Sequence, residues 1–97
     1  MNKPALADEK IIAEFLKMSF EDAKQNYFKV RDENLELNFE NTLNSLGYVF
    51  LAKKNNEYAI KIFELNSQEY PNSANVFDSM AEGYFLSGQF ELSKTNY

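Results

Sequence analysis

The chain has no cysteine and no histidine. The first absence removes disulfides and thiolate chemistry, although it does not fix the redox compartment. Together the two absences remove the usual general base, the thiolate nucleophile and the soft metal sites. Long apolar runs are missing as well. No apolar stretch reaches ~18 residues, and the opening MNKPALADEK lacks the apolar core of a signal peptide. The chain as given is therefore expected to be soluble, with no membrane role, cytoplasmic as it stands and exported if it was cut from a larger secreted protein. There is also no Lys/Arg cluster. Net charge is −5, with eight cations against nine anions over residues 1–54 and two against six over residues 55–97. An acidic second half repels phosphate backbones, which argues against nucleic-acid binding.

What is present suits a folded core: 44% hydrophobic and 15% aromatic residues in a chain of 97, enough for one small domain. No segment alternates with period two for long enough to make a strand, and apolar residues recur at helical spacing. Ile11, Ile12, Phe15 and Leu16 form a stripe on a helix expected from about Ala5 to Met18. Ser19, with Asp22 three residues on, reads as the N-cap of a second helix whose face is Phe20, Ala23, Tyr27 and Val30. DENLELN (32–38) reads as a loop. A third helix, about Phe39 to Lys53, carries Leu43, Leu46, Gly47 and Phe50. Asn55-Asn56 is expected to make the turn, since Asn tolerates the left-handed conformation. The fourth helix, about Glu57 to Glu69, carries Ala59, Ile60, Phe63 and Leu65, and Tyr70-Pro71-Asn72-Ser73 ends it. A fifth, about Ala74 to Ser87, stops at Gly88, a C′ residue. A sixth begins at Gln89 or Phe90. The fold class is all-α.

Shifted by 34 residues, the sequence matches itself. Leu43 lands on Phe77, Leu46 on Met80, Gly47 on Ala81, Phe50 on Tyr84, Ala59 on Ser93 and Phe63 on Tyr97. Leu43-x₂-Leu46-Gly47-x₂-Phe50, Ala59-x₃-Phe63 and Pro71 resemble the tetratricopeptide repeat, a 34-residue helix–turn–helix unit. The resemblance implies stacked antiparallel hairpins in a right-handed α-solenoid of about six helices. Residues 40–73 would be one repeat and 74–97 a second, truncated one. Residues 5–33 would form a degenerate capping hairpin, because Ala23 lies 36 residues before Ala59 rather than 34. Two helices approach closely only where a small side chain faces a large one. Gly47, Ala81, Ala59 and Ser93 are therefore expected to form thin spots, and Phe50, Phe63, Tyr84 and Tyr97 to fill the gaps between hairpins.

The run from Leu43 to Phe85 also resembles the helical-repeat segment that follows the catalytic domain in bacterial serine hydrolases of the β-lactamase/penicillin-binding-protein-like type. Leu43-Asn44, Glu64-Leu65-Asn66, Pro71-Asn72-Ser73 and Asp78-Ser79 carry that resemblance. It implies that the chain is an accessory segment, exported if that enzyme is. No Ser is followed by Lys three residues on, so the nucleophile motif of such enzymes is missing. Tyr70-Pro71-Asn72 matches their Tyr-x-Asn pattern but reads more simply as the turn between repeats. Glu9, Glu14, Glu21, Asp22, Glu57 and Glu91 fall on solvated faces or first turns, and no calcium-loop spacing occurs. The chain is read as non-catalytic, with no cofactor and no metal.

In the tetratricopeptide family the first helices line a concave binding face. By that resemblance the inner positions are Asn41, Asn44, Tyr48 and Leu51 from the first repeat and Asn75, Asp78, Glu82 and Phe85 from the second. Amide side chains can pair with a peptide backbone. Asp78 and Glu82, four apart on one face, suit a cation on the partner. The family's carboxylate clamp needs an inner cation, which these positions lack. A neutral or basic segment of a protein or peptide is expected rather than an acidic tail. Phe85, Phe90 and Tyr97 form a second candidate surface, for self-association or for docking an attached hydrolase domain. The competing class of function is structural: dimerisation, or bracing a neighbouring domain.

Overall fold

A computed structural model describes the backbone of residues 3–88 and the side chains of residues 7–88. Among the described residues there are five α-helices and no strand: α1 (Lys3–Lys17), α2 (Phe20–Glu33), α3 (Glu40–Ala52), α4 (Asn56–Glu69) and α5 (Ala74–Leu86). The expected sixth helix, with Phe90, Glu91, Ser93 and Tyr97, lies outside the described residues. None of the described helices is long and apolar enough to cross a membrane. The chain divides into two compact units, Met1–Thr42 and Leu43–Tyr97, with the boundary in the first turn of α3.

In the first unit, α1 and α2 are joined by only Met18 and Ser19 and pack on each other. Ser19 caps α2 as its spacing indicates, its side chain accepting from the Asp22 amide at 3.2 Å. Phe15 meets Phe20 and Tyr27 at ring separations of 6.1 and 6.5 Å, and Phe39 meets Tyr27 edge-on at 6.0 Å. The apolar stripe of α1 is narrower than its sequence suggests. Ile11 and Phe15 are buried, whereas Ile12 and Leu16 are exposed, because a single partner helix covers only part of an α-helix's circumference. On α2 the buried set is Ala23, Tyr27 and Val30. Glu14 departs from its expected solvated role: it is half-buried, and its Oε1 is buried without a hydrogen-bond partner.

In the second unit the Leu43, Leu46, Gly47 and Phe50 face of α3 and the Ala59, Ile60, Phe63 and Leu65 face of α4 are buried as expected. The turn between them differs from the expectation. Lys54, not Asn55 or Asn56, takes the left-handed conformation, at φ 67°. The Lys54 amide bonds to Leu51 O at 3.0 Å and the Asn55 amide to Phe50 O at 2.9 Å, a Schellman closure with Lys54 at C′. That leaves Asn55 free to cap α4, its side chain accepting from the Tyr58 amide at 3.4 Å. Ser73 caps α5 in the same way, accepting from Val76 N.

Local geometry recurs along the chain. The left-handed residues Lys54 and Gly88 stand 34 apart, and Gly88 N bonds to Phe85 O as Lys54 N bonds to Leu51 O. The caps Ser19 and Asn55 stand 36 apart. So do Asn34 and Tyr70, which end α2 and α4 at φ −139°, ψ 53° and φ −130°, ψ 66°.

Helix α5 faces the core differently from its expected pattern. Val76, Ser79, Ala81, Gly83 and Tyr84 are buried, Met80 is half-buried, and Phe77, the counterpart of Leu43, is 42% exposed. On α5 Gly83, which the 34-residue match does not mark as a thin spot, meets Phe63, and Ala81 is buried as well. A methyl at Gly47 would sit 2.5 Å from Phe63 Cζ, and one at Gly83 would sit 2.8 Å from Phe63 Cδ2. Opposite edges of one ring therefore fill slots left by two glycines, which draws α3, α4 and α5 together. That placement carries Val76 and Ser79 inward and turns Phe77 out.

Candidate functional site

The eight positions expected to form a recognition face fall at i, i+3, i+7 and i+10 on α3 and again on α5, one stripe on each helix. Asn41, Asn75 and Asp78 are exposed. Phe85 is 54% exposed, and Asn44, Tyr48 and Leu51 are half-buried. Asn44 Oδ1 is buried with no hydrogen-bond partner, so its amide is only partly offered to solvent.

Tyr48 and Glu82 are brought together. The Tyr48 hydroxyl donates to Glu82 Oε1 at 2.6 Å, and the two residues are 34 apart. Tyr48 thus has a definite packing role: its ring stands edge-on to Phe63 at 5.2 Å. Burial pushes its pKa up, and the Glu82 carboxylate adds to the rise while a hydrogen bond with Ser79 opposes it. The hydroxyl stays protonated and keeps donating, which fixes one oxygen of Glu82 and leaves the other able to accept. Asp78, one turn earlier on the same stripe, has no cationic partner among the described residues.

A second bond of the same kind holds α5 to α4. Tyr84 donates to Glu64 Oε2 at 2.5 Å, and burial, with that carboxylate adding to it, pushes its pKa up to about 12. Glu64-Leu65-Asn66 and Asp78-Ser79 include structural members. Leu65, Asn66 and Ser79 are buried, and Glu64 anchors Tyr84.

One feature was not visible in the sequence. Beside Tyr48 lies a hollow of ≈ 320 Å³ lined by Tyr48, Leu51, Ala52, Lys54, Asn56 and Leu86. It exists because the Schellman turn ends α3 abruptly at Lys54, and Leu86, 57% exposed, projects at the end of α5. Leu86 belongs to no repeat position, so no spacing argument singles it out. The arrangement offers carboxylates, an amide and a hollow of mixed lining, with Tyr48, Leu51, Ala52 and Leu86 beside Lys54 and Asn56, which suit non-covalent recognition. Among the described residues no group of three or more acidic side chains is placed to hold a metal ion. Comparison with family models, with curated proteins and with solved structures gave no match.

Proposed function

We propose that this chain is a non-catalytic recognition module of the tetratricopeptide type. Its α3 and α5 stripes would line the concave face of a stacked-hairpin solenoid and bind a neutral or basic segment of another protein. The observation that carries this reading is the Tyr48–Glu82 hydrogen bond. It joins equivalent positions of the two proposed repeats, one 34-residue period apart, as parallel neighbouring first helices would. The recurrence of left-handed closure at Lys54 and Gly88 supports the same period, and the caps of α2 and α4 support a related capping hairpin before it.

Calorimetric titration of the full chain with a lysine-bearing extended peptide tests the reading. Binding should weaken with added salt and should fall about tenfold in Asp78→Lys, since a reversed charge on the stripe repels the ligand. Affinity that ignored both changes would reject this face as the recognition surface.

A second reading has its own support. Phe77, Phe85 and Leu86 are 42, 54 and 57% exposed on α5, large apolar side chains available for dimerisation or for bracing an attached domain such as a bacterial serine hydrolase. Light scattering over a range of concentrations separates the two. A constant monomer mass favours recognition, and a tight dimer that no longer takes up peptide favours the structural role.

A further inference from the structure

Tyr48 belongs to two features at once. It lines the hollow, and its hydroxyl donates to Glu82. The hollow, apolar where Leu51, Ala52 and Leu86 line it and polar at Lys54 and Asn56, is therefore linked to the carboxylate through one residue. On α5, Asp78, Glu82 and Leu86 follow at i, i+4 and i+8, and all three are exposed. Successive members of that series rise about 6 Å along the helix axis. An extended chain covers nearly the same distance in two residues, at about 3.3 Å each, with alternate side chains on the same side.

From this match we infer that the hollow and the two carboxylates form one bipartite site for an extended protein segment of the pattern cation-x-cation-x-apolar. The inference rests on the recognition reading above and adds the ligand's chemistry. The apolar side chain enters between Tyr48, Leu51, Ala52 and Leu86. A volume of ≈ 320 Å³ takes one large side chain rather than a folded surface. A Lys or Arg pairs with the Glu82 oxygen that Tyr48 leaves open, and a second pairs with Asp78. Charge complementarity selects this occupant. Residues 55–97 carry two cations against six anions, and Lys54, which lines the hollow, disfavours a positive charge there. The ligand's charges are thereby kept at the Asp78 end.

The test uses the isotope-labelled full chain and three capped peptides: Arg-Gly-Arg-Gly-Phe, Arg-Gly-Arg-Gly-Gly and Ser-Gly-Ser-Gly-Phe. The first should bind about tenfold more tightly than either of the others and should shift the amides of Leu51 and Leu86. Leu86→Glu, a change at an exposed position, should bring the first peptide down to the level of the second without weakening the second. Equal binding of the first two peptides, with Leu51 and Leu86 unmoved, overturns the bipartite site and leaves the recognition face standing. If none of the three shifts any α3 or α5 amide, both readings fail together. Shifts at Leu86 that depend on protein concentration without peptide show a second copy in the hollow, which also overturns this assignment.

Discussion

At Gly47 and Gly83 nothing larger than hydrogen fits, since a methyl at either would overlap the Phe63 ring. Glycine inside a helix costs about 1 kcal/mol relative to alanine, so its presence in mid-helix twice needs a compensating contact, and the shared ring supplies it. The two tyrosine–carboxylate bonds are the other residue-scale feature with measurable consequences. Tyr84 has its pKa raised from an ordinary value of 10.0 to about 12 in the folded chain. A raised folded pKa means that the neutral form is the one the fold favours. The stabilisation is therefore whole below pH 10 and is lost as pH rises through about 12. A tyrosinate absorbance titration should show Tyr84→Phe losing a component that titrates near pH 12. At neutral pH that variant should be about 1–2 kcal/mol less stable, because a hydrogen bond to a carboxylate is removed. A titration curve identical in shape to wild type would rule out the bond.

At the scale of the element, the α3–α4 connection is short because one residue does two jobs. Asn55 supplies the amide that closes α3 onto Phe50 O and the side chain that caps α4. Lys54 meets the cost of that economy, since a residue with a Cβ is strained at φ 67°. Lys54→Gly should raise stability by about 1 kcal/mol in urea denaturation, and Asn55→Ala should lower it by about the same amount. A destabilised Lys54→Gly would mean that the left-handed turn is not present in solution.

Much of this was legible beforehand, and the failures have a physical pattern. Ser19, Gly88 and the Leu43, Leu46, Gly47, Phe50 face could be read because capping and helical periodicity are local. Small-against-large spacing marked Gly47 as a thin spot and Phe63 as a gap-filler, but not that the two meet. Gly83 was missed because the 34-residue shift pairs it with Val49, and a shift compares positions without knowing how a helix is rotated about its axis. The cue available was the unexplained glycine in mid-helix. The Asn55 error was one of competing roles: Asn suits both a left-handed turn and an N-cap, and the cap won. Of the site residues, Tyr48 and Glu82 were both singled out, but their mutual bond was not. The hollow depends on where two helices end, which composition does not encode.

At the scale of the whole chain, everything proposed for recognition apart from Asn41 follows from how α3 from Leu43 onward, α4 and α5 are placed within the second unit. With the Phe63 ring seated against both glycines, α3 and α5 lie where Tyr48 reaches Glu82, and the stripes and hollow follow. If the ring sat elsewhere, the two stripes would belong to separate surfaces and the spacing argument for a ligand would have no basis. The most direct test is a double-mutant cycle on the full chain, read by urea denaturation, with Gly47→Ala, Phe63→Leu and the pair. Gly47→Ala alone should cost about 1–3 kcal/mol through overpacking. In the Phe63→Leu background that cost should shrink by at least about 1 kcal/mol, since the crowding ring atoms are gone. An equal cost in both backgrounds, or a Gly47→Ala variant more stable than wild type, as at a solvent-facing helix position, would contradict the account.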